Sequence, residues 1–317
     1  MLLKEIIQAF ELIDDPGASG ERIASKLKEV DPQTEIEVRT VKGDKGSTDF
    51  IKLLVPGSDG RSKGGDAPTL GIIGRLGGLG ARPERIGAVS DADGAIVAIA
   101  CGLKLVDMAE KGDFLKGDVI ITTHICPRAP QMPHDPVPFM GAPVDMETMN
   151  QLEVDERMEA ILSVDATKGN EIINHNGFAI CPTVKEGYIL KVSGDLLRIM
   201  RQVTGRPPVT FPIAIQDITP HGNGLYHINS IMQPSTATDA PGVGVATTSE
   251  QVIPGIATGV NYPSGLEAAA RFCIEVAKEF GRGSCQLYHK EEFRRIVELY
   301  GSLKRLQTLG EGKGGDV

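Results

Sequence analysis

Residues 90–128, SDADGAIVAIACGLKLVDMAEKGDFLKGDVIITTHICPR, constrain the fold more than any other stretch. Residues 95–109 read as a helix that is apolar on nearly every side, and a helix of that kind has to be buried. A hydrophobic strand follows over 118–123 and runs into His124, Cys126 and Arg128. Asp91 and Asp93 form an acidic turn at the start of the helix. A carboxylate at that end faces the positive pole of the helix dipole, so it either caps the helix or holds a cation or polar substrate.

Around this segment the pattern alternates between helix and strand. Leu3, Ile6, Ile7, Phe10 and Ile13 recur at helical spacing, and Ser19 is placed to cap a second helix. Ile36, Val38 and Val41 mark one strand, with residues 50–55 as its hairpin partner. Short buried strands are expected at 70–75 and 160–164, and further strands at 209–215 and 256–260. Helices are expected at 195–204, capped by Ser193 and closed by Gly205, and at 265–280 and 291–306. Residues 57–68 read as a mobile glycine-rich stretch, and 127–143 as a long loop of the functional kind. Strands alternating with helices predict an α/β fold: a three-layer sandwich with a mixed, mostly parallel sheet and helices on both faces. One domain over 1–309 with a disordered tail over 310–317 is expected.

Composition narrows the function. The 317 residues carry a formal net charge of −9, which argues against a nucleic-acid surface because phosphate binding needs clustered Lys and Arg. The five cysteines are widely spaced and form no CxxC pair, so neither a disulfide framework nor a zinc knuckle is indicated. No apolar run approaches the roughly 20 residues a membrane helix needs, and the N-terminus lacks the basic start of a signal peptide. A soluble, reduced, cytoplasmic protein is the expectation, with no nucleic-acid or membrane partner.

In parallel sheets ligands gather beyond the carboxyl ends of the strands. The residues that follow each inner strand are Arg75, then Asp91 and Asp93, then His124, Cys126 and Arg128, then Asp165 and Lys168, then Asp217 and His221, then Asn261 with Ser264. Each has a plainer reading. His124 suits a satisfied semi-buried histidine, Cys126 and Cys181 suit small buried hydrophobes, and His134 and His221 sit in turn-like sequences. The glycine run after Arg75 lacks the spacing of a dinucleotide loop.

Several short motifs then carry a resemblance. PGASGER (16–22), DADG (91–94), SVDAT (163–167), TATDA (236–240) and the segment 253–272 together resemble the co-catalytic di-zinc aminopeptidases and carboxypeptidases, nearest the tetrahedral-aminopeptidase type. The chain is also similar to an uncharacterised bacterial family, domain of unknown function 1177. The first resemblance, spanning roughly residues 1–280, implies that Asp91 bridges two metals, that Asp165 supplies a further carboxylate, and that a homo-oligomer forms. No room is seen for the lid insertion of the larger peptidases. Three departures fall on the ligands. Arg75-Leu-Gly77 stands at the His-x-Asp position, Pro127-Arg128 at the paired glutamates, and Pro263 at or beside the last histidine.

Two readings follow. In the first, the chain is a metal-dependent hydrolase of an amide bond in a small molecule or peptide. Its altered site has Asp91, Asp165 and His124 as ligands of zinc or manganese, Asp93, His124 and Arg128 as catalytic groups, and Arg75, Lys168, His221 and Asp239 contacting substrate. In the second it is a metal-free binder of small anions, gripping them through Arg75 and Arg128. A metal-free enzyme using Cys126 or an aspartate as base is a third possibility.

Overall fold

The computed structural model describes the chain except residues 44–45, 76–80, 83–84, 128, 130, 134–138, 169–171, 215–228, 252–259 and 308–317. At residues 81–82, 85–86, 131–132 and 139–140 only the backbone is described. Helices α1 (Leu3–Asp14) and α2 (Gly20–Val30) come first, and Ser19 caps α2 by accepting from the Arg22 N–H. Strands β1 (Glu35–Gly43) and β2 (Gly46–Val55) form the expected hairpin. Then come β3 (Leu70–Gly74), the ribbon β4 (Ala81–Arg82) and β5 (Arg85–Ile86), α3 (Asp93–Glu110) and β6 (Val119–Ile125). A second ribbon, β7 (Gln131–Met132) with β8 (Phe139–Met140), lies within the proline-rich stretch expected to be a loop. The remaining elements are α4 (Met146–Glu153), β9 (Ala160–Ala166), β10 (Gly177–Ile180), β11 (Val184–Lys185), β12 (Tyr188–Ile189), α5 (Gly194–Thr204), β13 (Gly242–Thr248), α6 (Pro263–Gly281) and α7 (Lys290–Tyr300).

The α/β expectation holds. One sheet runs in the order β1-β2-β6-β3-β9-β13-β11-β12, with β10 also paired to β13. Its four inner strands, β6, β3, β9 and β13, are parallel, and antiparallel strands flank them. Side chains alternate between the two faces of a strand, and the core divides accordingly. Leu53, Ile72, Ile121 and Leu162 join the main core beneath α1, α2, α3 and α6, whereas Leu54, Ile73, Ile120 and Ile161 form a second cluster on the opposite face. That second face carries α4 and a 3-10 segment, Ser230–Thr236.

Helix α3 is seated by two glycines. A Cβ on Gly74 would lie 2.4 Å from the Gly94 carbonyl oxygen, and one on Gly94 would lie 2.4 Å from the Val164 oxygen and 2.5 Å from the Arg75 oxygen. Backbone meets backbone there, so the start of α3 rests directly on β3 and β9. Neither neighbour can rotate away as a side chain would.

Three expectations change. Residues 209–214 make a single bridge, Thr210 to Ile180, and the inner strand beside β9 is β13, whose GVGVATT is too poor in large β-branched residues to stand out. The 57–68 stretch is tied down by Asp118, whose carboxylate accepts from the Gly57 and Ser62 N–H groups at 2.8 Å and from the Ser62 hydroxyl at 2.9 Å. The last helix stops at Tyr300, because Gly301 takes a φ of +80°. The strand expected at 256–260 and the tail fall on residues outside those described, apart from Val260. Among the described residues no helix is long and apolar enough to cross a membrane.

Two outcomes follow from this packing. Gly94→Ala should destabilise the fold by about 1–3 kcal/mol through overpacking, read as a lower urea midpoint with unchanged slope. Asp155 ties β2 to the turn before β9, bonding Lys52 at 2.9 Å and Arg157 at 2.8 Å, and Arg157 foremost holds its carboxyl well below the usual range. A depressed carboxylate stabilises above its unfolded value near ~4 and ceases to as pH falls through its folded value. Asp155→Asn should therefore cost about 2 kcal/mol at pH 7, the gap to wild type narrowing in urea titrations taken below about pH 4.

Candidate functional site at the carboxyl edge of the sheet

The carboxyl ends of β6, β3, β9 and β13 bring most of the candidate residues to one edge, in two polar networks. The first surrounds Asp93. Its Oδ2 accepts from the Thr247 hydroxyl at 2.6 Å and lies 2.6 Å from Lys168 Nζ, while its Oδ1 accepts from Asn261 Nδ2 at 2.6 Å. Lys168 also donates to the Val260 carbonyl at 2.7 Å, and Asn261 to the Val89 carbonyl at 2.9 Å. Asp93, expected to be catalytic, and Lys168, expected to bind substrate, are thus partners of one another. Both are almost wholly buried, so the pair acts as a clamp joining the start of α3 to the ends of β9, β13 and the segment entering α6.

The second network lies on the opposite face. Register fixes it: Gly74 pairs with Thr123 on one side and Val164 on the other. The next residues, His124, Arg75 and Asp165, therefore stand side by side on the face that carries Ile120, Ile73 and Ile161. Arg75 is wholly buried, its Nη1 2.5 Å from Asn150 Oδ1 and 3.3 Å from Glu153 Oε2. The other oxygen of Glu153, Oε1, is 2.5 Å from His124 Nδ1, and the Thr122 hydroxyl donates to the Glu153 carbonyl. Arg75, expected to grip a substrate anion, is instead turned beneath α4 onto an internal carboxylate. Glu153 and Asn150 escaped the sequence reading. Only the acidic end of METMNQLE hinted at them, and which strand they face is a tertiary fact.

Asp91 and Asp165, the expected metal ligands, are 3% and 2% exposed. The turn Ser90–Ala92 packs against β9, which sets the two carboxylates on adjoining elements. Asp165 Oδ1 accepts from the Ala166 N–H at 2.7 Å and its Oδ2 from the Ser230 hydroxyl at 3.4 Å. Among the described residues no three His, Cys, Asp or Glu side chains form a group that could hold a metal ion, so His124 does not join Asp91 and Asp165 as a third ligand. Asp239 lies apart. It precedes β13, at the amino edge of the sheet, where it is exposed and paired with Lys304. A cavity of about 1320 Å³ also opens at that edge, lined by Met158, Lys185, Asp239 and Tyr288 among others. Fold logic places ligands at the opposite edge, where the buried polar groups are. Cys126 is buried beside Val89 and Ala129, and burial pushes the Cys181 thiol up to about 12, which disfavours its thiolate. Arg128, His134, Asp217 and His221 lie outside the described residues.

Comparison with known proteins adds a family and a fold. The family described as protein of unknown function, DUF1177, matches residues 39–310. The chain belongs to that family. No curated protein matches it in sequence. Among solved structures, a mutant of tomato leucine aminopeptidase aligns with a TM-score of 0.51 at 10% identity, over 86% of this chain and 61% of that one. An M17 aminopeptidase from Trypanosoma brucei aligns at 0.46 and 12% identity, with the same coverage. This DUF1177 chain therefore shares a fold with the tomato enzyme while spanning 61% of its length.

The buried Arg75–Glu153 pair has a testable energetic signature. Arg75→Met or Glu153→Gln alone leaves an uncompensated buried charge and should cost about 3–5 kcal/mol. Arg75→Met combined with Glu153→Met should cost clearly less than the two single Met substitutions summed, which a double-mutant cycle in urea measures.

Proposed function

We propose that this protein is a hydrolase that cleaves an amide bond in a small molecule or peptide. It would use an altered, carboxylate-based form of a peptidase site of the di-zinc type. The observation that supports this reading most is the placing of two nearly buried carboxylates, Asp91 and Asp165, at the carboxyl edge of a sheet whose fold is that of a leucine aminopeptidase. A pair of zinc ions does not fit the described donors, since the histidine and glutamate ligands it needs are replaced or engaged elsewhere. One hard cation such as manganese fits better, because carboxylates and water are its preferred ligands.

When bound, such a cation would polarise the scissile carbonyl and acidify a water molecule. The chain's own residues do the rest. Asp91 and Asp165 would hold the charge, Ser230 fixes one oxygen of Asp165, and the Asp93–Lys168 pair anchors the turn from which Asp91 projects. The anion-binding alternative draws no support from Arg75, whose guanidinium faces Glu153 and Asn150.

The test joins binding to turnover. Manganese at a hundredfold excess over its dissociation constant should stabilise the purified chain by about 2.7 kcal/mol, and Asp91→Asn or Asp165→Asn should abolish the gain. The same variants should lower hydrolysis of a panel of aminoacyl amides and dipeptides by at least about a hundredfold. No stabilisation by manganese, magnesium or zinc, together with turnover indifferent to EDTA, would defeat the metal-dependent reading.

A further inference from the structure

We infer that His124 is the general base of this site, that Glu153 positions it, and that Arg75 in turn holds Glu153. The inference rests on the hydrolase reading and deepens it by naming the group that moves the proton. Three observations carry it. First, the imidazole is fixed at one nitrogen: Nδ1 lies 2.5 Å from Glu153 Oε1, and the Phe50 ring packs against it with centroids 5.6 Å apart. Second, Glu153 has a permanent counter-charge besides the histidine. Glu153 is wholly buried and faces Arg75 at 3.3 Å, and Arg75 stays protonated. One guanidinium and one carboxylate cancel, so a neutral ring donating its Nδ1–H to Glu153 adds no unpaired charge to the interior. Third, that bond leaves the lone pair on Nε2, at the far side of the ring from α4. Among the described residues nothing hydrogen-bonds Nε2, and the residue as a whole is 4% exposed.

A carboxylate that fixes the tautomer of a histidine through Nδ1 leaves Nε2 ready to accept a proton, whatever fold supplies the pair. His124 and Asp165 flank Arg75 on one face of the sheet, so their Cα atoms are about 10 Å apart at ordinary strand spacing. In the step proposed, the oxygen of a water molecule bonds to the amide carbon while Nε2 takes one of the water protons. The carbonyl π pair moves onto its oxygen. When that pair returns, the C–N bond breaks and the imidazolium gives its proton to the departing nitrogen. A carboxylic acid and an amine result, and His124 is neutral again.

The test begins with measurements that need no substrate. Histidine-labelled protein at pH 7 should show His124, assigned through His124→Gln, protonated at Nδ1 alone in long-range ¹H–¹⁵N spectra. The charge-neutral Arg75→Met/Glu153→Met double variant should move the proton to Nε2. Diethyl pyrocarbonate should acylate His124 in wild type, and more slowly in the double variant. In turnover, folded His124→Gln should lose about a hundredfold or more in kcat with KM little changed. A proton on Nε2 in wild type, no acylation, full turnover by folded His124→Gln, or protection of His124 by stoichiometric manganese would each overturn the assignment, the last by making the ring a metal ligand. If no amide is hydrolysed at all, the hydrolase reading fails separately. The tautomer and acylation results then still decide whether His124 is an oriented base.

Discussion

The contact between Gly74 and Gly94 is what the rest of the structure depends on. Carbonyl and amide groups of β3, β9 and α3 meet where any side chain would intrude, and this sets the depth and angle at which α3 enters the main core. Depth matters because the two aspartates are counted back from Gly94. Asp93 can reach Lys168, Thr247 and Asn261 together only if the first turn of α3 rests on the strand ends. The same seating presses the Ser90–Ala92 turn, and with it Asp91, against β9. A backbone contact thus positions carboxylates that hydrogen bonds alone would leave free to swing.

The sheet then sorts the polar residues by parity. Lys168 and Asp93 compensate each other near α3, while His124, Arg75 and Asp165 share one row on the opposite face. Helix α4 closes over part of that row and supplies Glu153 and Asn150. One buried cation faces one buried anion in each network, as the cost of burying a lone charge requires. His124 stands at the end of the Arg75–Glu153 pair, with Nδ1 facing the carboxylate.

How much was legible follows from what leaves a trace in local sequence. Helix α3 and strand β6 were readable because their burial is nearly complete and therefore written as uninterrupted apolar residues. β13 was missed for a matching reason. Its Gly242 and Gly244 make room for Met232 of the Ser230–Thr236 segment, so the residues that signal a strand are absent from a strand that is wholly buried. The polar residues that follow the inner strands can be located in the sequence, since fold class dictates where strands end. Their partners were not, because an ion pair such as Arg75 with Glu153 spans 78 positions and no spacing rule reaches that far. Asp239 was misplaced by its motif: TATDA precedes its strand, and the sequence did not reveal that a strand began after it.

The residue that most constrains the chemistry of this edge is the arginine after β3. It stands between His124 and Asp165, on a strand neighbouring each, and carries a permanent positive charge into a wholly buried position. A second divalent cation bound near Asp165 would meet that charge a few ångströms away, in surroundings with little water to screen it. The attraction that Glu153 supplies is already used by the guanidinium itself. The row therefore favours one added cation at most. Under the hydrolase proposal, a site limited to one metal would lack a second ion's help in activating water, and the proton would have to be taken by a side chain. Of the groups in the row, Arg75 cannot accept a proton and Asp165 would be engaged by the cation, which leaves the imidazole that Glu153 holds.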